Sequence, residues 1–145
     1  MMSMRSCLRL AAVALWALNA DAFAADTVCV VVSAQSAVHE LAKKDVLALY
    51  TGHTRLFPNG QAAVPFDQNR DGAARASFYL ALTGMDIARI NSYWARLHFT
   101  GQVQPPQVAG DDEGVLARLV ADPRAIGYLM EEPKSAGVRV VLRLP

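Results

Sequence analysis

The run Val28-Cys29-Val30-Val31-Val32 constrains the fold more than any other stretch of this 145-residue chain. It is unbroken rather than alternating, rich in β-branched residues and too short for a buried helix. Such a run predicts a strand buried on both faces, which belongs in the middle of a sheet. The residues after it must therefore supply what covers that sheet.

They do so in an order of strands and helices. Val38 to Tyr50 carries Leu41, Val46, Leu47 and Leu49, enough apolar residues for one helix or two short ones ending at Gly52. Ala62 to Phe66 is a short strand candidate, and Pro65 pushes it toward a strand end or a sheet edge. Ala74, Phe78 and Leu82 recur at helical spacing between Asp71 and Gly84. Asp86 is a good N-cap for a second helix, with Ile87, Ile90, Trp94 and Leu97 on one stripe before Gly101. Gln102 to Gly110 holds Pro105-Pro106 and no periodicity, and reads as a surface loop. Asp111-Asp112-Glu113 opens a helix closed by Asp122-Pro123, and the acidic triplet suits a helix N-terminus better than a metal. Ile126 to Met130 is strand-like, and Val138 to Leu144 alternates so that one face should meet solvent. The sum is an α/β three-layer sandwich with a mixed β-sheet.

The N-terminus reads differently. Arg5 and Arg9 precede an apolar run, Leu10 to Leu18, and the small-x-small group Ala22-Phe23-Ala24. That pattern predicts a secretory signal peptide over residues 1–25, cleaved after Ala24 or Ala25. The run falls short of the roughly 18 to 20 residues that span a bilayer, so no membrane insertion is expected after cleavage. A single domain, 26–145, remains, and the expected location is the bacterial periplasm. Removing Arg5 and Arg9 from 14 basic residues and Asp21 from 13 acidic ones leaves a neutral domain. Nucleic acid and anionic membranes, which demand clustered Lys and Arg, drop out as partners. Cys29 is the one cysteine left, and its apolar surroundings mark it as a small buried hydrophobe.

No catalytic machinery is legible. His39, His53 and His98 lack zinc-type spacing, and there is no nucleophile elbow, P-loop or dinucleotide fingerprint. The expectation is a protein that is not an enzyme, with no metal and no cofactor. More informative is Asp67 to Phe78, which collects polar donors, two arginines and a glycine where a strand should pass into a helix. Unpaired N–H groups and the positive end of a helix dipole suit a small oxyanion. Asn69, Arg70, Asp71, Gly72, Arg75 and Ser77 are the candidate ligand residues: the arginines for bidentate contacts, Ser77 for a hydroxyl donor. The plain alternative is that Asp71-Gly72 is a turn and cap, and that both arginines lie on a solvated helix face.

Several segments together resemble one family. Val31-Val32-Ser33, Lys44 to Gly52, Pro58-Asn59-Gly60, Val64 to Asp67, Arg75 to Phe78, Tyr93-Trp94, Phe99-Thr100-Gly101 and Ala125 to Tyr128 are similar, in order and spacing, to the phosphate ABC transporter substrate-binding proteins. The resemblance covers nearly the whole expected mature chain. It implies the fold of one lobe of a type II periplasmic binding protein, in a short, single-domain branch of the family. It further implies a solute-binding protein for phosphate or another small oxyanion, with an ABC permease or an envelope sensor as partner. In the larger family members phosphate lies between two lobes, and whether two copies of this chain pair as a homodimer to rebuild such a cleft is left open by the sequence. The family's ligand loop is an Arg-Ser-Asp-Gly-Ser-Gly-Thr type of segment. Here Asn69 to Arg75 keeps Arg, Asp and Gly and lacks the Ser and Thr donors. The alternative is therefore a cell-envelope accessory module that keeps the fold and has lost the ligand site.

Overall fold

Strand β1 (Val28–Ser33) is buried along its whole length, as its valine run requires. This computed structural model describes residues 27–101 and 103–145, so the expected signal peptide lies outside the described residues. After β1 come α1 (Lys43–Tyr50), β2 (Val64–Gln68), α2 (Ala73–Thr83), α3 (Ile87–Thr100), β3 (Gln107–Gly110), α4 (Asp112–Ala121), β4 (Ala125–Leu129) and β5 (Val138–Leu144). The five strands form one sheet in the order β3-β2-β4-β1-β5. β2 is parallel to β3 and β4, whereas β1 is antiparallel to both of its neighbours, β4 and β5. The sheet is mixed, and β1 alone runs against the other strands.

Alternate residues of β1 face two separate cores. Val28, Val30 and Val32 pack with Tyr50, Phe78, Tyr79, Ile90 and Trp94 from α1, α2 and α3. Cys29 and Val31 face the other way, onto Val115 and Leu119 of α4. Each fully buried Val or Leu side chain contributes about 1.5–3 kcal/mol of transfer free energy. A strand with a face in each core adds that twice over, which is why β1 is apolar without a break. The three-layer α/β sandwich expected from the sequence is what forms. No helix among the described residues is long and apolar enough to cross a membrane.

The helix boundaries follow their caps. Asp86 accepts from the backbone N–H of Arg89 to open α3, and Gly84 and Gly101, in the left-handed region, close α2 and α3. Gly114 has a different reason to be glycine: an added Cβ would lie 1.9 Å from the carbonyl oxygen of Ala109. Its absence lets α4 begin hard against β3.

Three expectations need correction. Residues 107–110, read as loop, form β3, which pairs with β2 from Phe66 to Gln68. Four residues with Val108 57% exposed carry too little apolar pattern to announce a strand. The helix expected from Val38 starts only at Lys43. Val38 and Leu41 are buried without being helical, because Arg139 ties the preceding loop down through the carbonyls of Ala34 (3.0 Å), Ser36 (3.0 Å) and Val38 (2.8 Å). β5 does not keep one face to solvent: its register against β1 shifts between Val30 and Val31. The bulge sends Val138 to the α4 side and Val141 and Leu144 to the opposite core. Pro65, expected at a strand end or a sheet edge, takes the first of these: it is the second residue of β2, which lies between β3 and β4. It is tolerated near the start of β2 because pairing with β3 begins only at Phe66.

Candidate functional site

Because β2, β3 and β4 are parallel, their carboxyl ends share one edge of the sheet, where α2 and α4 begin. The two helix starts differ in chemistry. At α4, Asp111 accepts from the N–H of Gly114 at 3.0 Å, and Asp112 and Glu113 occupy the first turn. This confirms the structural role expected of the acidic triplet, and it leaves that helix end supplied with its own negative charge. At α2 the N-cap is Gly72, which has no side chain to offer, and the first turn contains no acidic residue. The leading N–H groups of α2 and its dipole thus face the loop Asn69–Gly72 without a side-chain acceptor.

That loop is a tight turn, with the N–H of Gly72 on the carbonyl oxygen of Asn69 at 2.9 Å. The N–H of Asn69 bonds the carbonyl oxygen of Gly110 at 2.8 Å, which anchors the turn to the end of β3. The side chains of Asn69, Arg70 and Asp71 are exposed. Four of the six residues expected at a ligand site, Asn69 to Gly72, therefore stand together at the uncapped start of α2. Ser77 is half-buried and lies beyond the first turn of the helix.

Arg75 has another environment. It is 6% exposed, and its Nε donates to Oδ2 of Asp67 at 2.9 Å, an ion pair enclosed on both sides. Its Nη1 donates to Oδ1 of Asn91 on α3 at 2.8 Å and lies 3.5 Å from the carbonyl oxygen of Arg70. The guanidinium also stands over the ring of Tyr79, 5.2 Å from its centre. The carboxylate it faces is fully occupied. Oδ2 of Asp67 also accepts from the Tyr79 hydroxyl at 3.1 Å, and Oδ1 accepts from the N–H of Gln68 at 2.9 Å and from the Tyr128 hydroxyl. Burial, and then the charge of Asp67, push the Tyr79 and Tyr128 hydroxyls well above the usual phenol range, so both remain protonated donors. Gln68 continues the network through Nε2, which donates to Oδ1 of Asp112 at 2.6 Å and to the carbonyl oxygen of Tyr128 at 2.9 Å.

The buried polar cluster thus ties β2 to α2, α3, α4 and β4 directly beneath the exposed turn. With every Asp67 oxygen satisfied by donors, the carboxylate holds structure in place and has no lone pair left for proton abstraction. Sequence reasoning placed Arg75 among the ligand residues and did not single out Asp67, Gln68, Tyr79, Asn91 or Tyr128. The available signal was a carboxylate ending an apolar strand, followed by Arg75 and Tyr79 one helical turn apart.

No protein-family model and no curated protein matches this chain. Solved structures do match in fold. A phosphate ABC transporter substrate-binding protein with bound phosphate from Clostridium perfringens superposes with a TM-score of 0.61 at 15% identity, over 80% of this chain and 44% of that one. An ABC-type phosphate transport receptor from Vibrio cholerae gives 0.62 at 14% identity, over 80% and 45%. PstS from Borrelia burgdorferi gives 0.53 at 13%, over 72% and 40%. This chain spans less than half the length of each. The family resemblance drawn from ordered sequence segments is borne out at the level of fold: the chain folds like a portion of phosphate-transport substrate-binding proteins.

Proposed function

We propose that this chain is a solute-binding protein of the periplasm that takes phosphate or a similar small oxyanion at the start of α2. Asn69, Arg70, Asp71, Gly72, Arg75 and Ser77 form the site, with distinct roles. The leading backbone N–H groups of α2 and the Arg70 guanidinium meet the anion. Arg75, anchored on Asp67 and close to the Arg70 carbonyl, holds the turn in position. Ser77 is the hydroxyl nearest in sequence to that helix start on α2. The carrying observation is that α2 opens with neither a capping side chain nor an acidic residue, at the shared carboxyl edge of three parallel strands and beside an exposed arginine. Ligands of open α/β sheets favour that edge. The fold likeness to phosphate-transport proteins points to the same ligand class and to an ABC permease or an envelope sensor as partner. Binding rather than catalysis fits a site whose one buried carboxylate is consumed by its neighbours.

A second reading is favoured by one observation: the guanidinium of Arg75 is already neutralised by Asp67, which leaves Arg70 as the exposed arginine of the turn. On that reading the chain is an envelope accessory module that has kept the fold and lost the ligand. Phosphate titration followed by two-dimensional ¹H–¹⁵N NMR separates the two. Saturable shifts centred on the amides of Gly72, Ala73 and Ala74 are expected. Unmoved amides at those positions would select the accessory module.

A further inference from the structure

Five of the nine arginines among the described residues are committed to partners within the chain. Arg75 pairs with Asp67, Arg124 with Asp122 and Arg143 with Glu132. Arg139 binds loop carbonyls, and Arg118 lies over the ring of Phe66, 5.5 Å from its centre. Arg89 and Arg96 are spent on nothing: both are exposed, and neither guanidinium joins any of the ion pairs among the described residues. They lie two turns apart on one side of α3, about 10 Å along the helix axis.

Between them runs a shallow groove of about 490 Å³ floored by Met85, Ala88, Ser92 and Tyr93. Its one carboxylate, Asp86, accepts from the N–H of Arg89 as the helix cap. Residues 87–100 of α3 include no Asp or Glu, so the two arginines outnumber the single carboxylate of the groove and the face is net cationic. Three residues beyond Arg96, on the same face, Phe99 is 92% exposed. The opposite side of α3 is already used, with Ile90 and Trp94 buried in the core.

A cation, a largely uncharged floor, a second cation one heptad on and an apolar knob make a surface of definite chemistry. We propose that the outer face of α3 docks an acidic amphipathic helix of a partner protein. Two of that helix's carboxylates, one heptad apart, meet Arg89 and Arg96, and an apolar residue beside them covers Phe99. Charge complementarity selects this occupant. Two arginines without a lysine cluster are too few to hold a membrane surface, where stable attachment draws on larger basic groups. The proposal does not rest on the oxyanion site.

The test uses a fluorescein-labelled helical peptide with glutamates one heptad apart and leucines alongside, titrated with the purified protein by fluorescence anisotropy. Saturable, salt-sensitive binding is expected. It should weaken about tenfold or more in R89E/R96E, weaken several-fold in F99A and stay unchanged in R55E. A peptide with lysines in place of the glutamates should bind R89E/R96E in preference to the unaltered protein. Absence of saturable binding, or binding indifferent to the R89E/R96E reversal, would overturn the proposal. So would self-association, or attachment to phosphatidylglycerol vesicles, that R89E/R96E abolishes while peptide binding persists.

Discussion

Arg70 and Arg75 stand five positions apart on either side of one helix start, and they live in different worlds. Arg70 projects from an exposed turn, whereas Arg75 is enclosed with Asp67 beneath that turn. The difference teaches how a small domain can present a charge-receptive surface. Leading N–H groups and an exposed guanidinium face solvent, and a saturated buried cluster below them fixes the backbone that carries them. The two helix starts at the same sheet edge repeat the contrast, since α4 is closed by its own carboxylates and α2 is left open.

The largest test of this comparison is Asp67→Ala. It strips Arg75, Tyr79 and Tyr128 of their common acceptor and leaves a buried cation unpaired, at a cost of about 3–5 kcal/mol in urea denaturation. The double variant D67A/R75M should recover part of that loss, because it removes the orphaned charge. A loss below about 1 kcal/mol in D67A would show that the cluster is not holding the turn.

Opening the closed helix comes next. Asp111→Ala removes the cap from the Gly114 N–H and should destabilise by about 1 kcal/mol in the same measurement. Because Asp112 and Glu113 remain, it should not make α4 a second anion site.

The buried thiol on the opposite face of the sheet supplies a pH dependence. Burial, then the hydrogen bond that the Cys29 thiol donates to Glu132, push its pKa up to about 11. In the unfolded chain the thiol ionises near pH 9, while in the folded protein it keeps its proton until about 11. The folded state therefore binds more protons between these values. The stabilisation from the neutral thiol is fully present below about pH 9 and is lost as the pH rises to about 11. A Cys29→Ala variant should show a flatter stability profile across that window. The native thiol should also react slowly with iodoacetamide at pH 8 and quickly once unfolded.

What could be read in the sequence was what local chemistry decides. The valine run of β1, the Asp86 cap and the glycines ending α2 and α3 all act within a few residues of themselves. The turn of the candidate site was legible for the same reason, since Asn69 to Gly72 is a contiguous stretch at a strand-to-helix junction. What escaped depends on distant partners. Arg75 turns inward because Asp67, Asn91 and Tyr79 converge on it from a strand and two helices, and the local mark that sets it apart from Arg70 is only Tyr79 one helical turn on. β3 is a strand because β2 lies beside it, and the bulge in β5 arises from its register on β1. Val38 and Leu41 are buried by a clamp from Arg139, about a hundred residues away in sequence.

The smallest expected change in stability carries the most decisive reading of function. Arg70→Ala should alter the urea midpoint by less than about 0.5 kcal/mol, as an exposed side chain does. Calorimetric titration of the unaltered protein and of R70A with phosphate and sulfate, each paired with its urea curve, therefore tests the central claim directly. Saturable oxyanion binding that is lost in R70A while stability holds would bear out an open, α2-centred site carried on a closed buried cluster. No binding of either anion by the unaltered protein, or binding that R70A leaves intact, would contradict it.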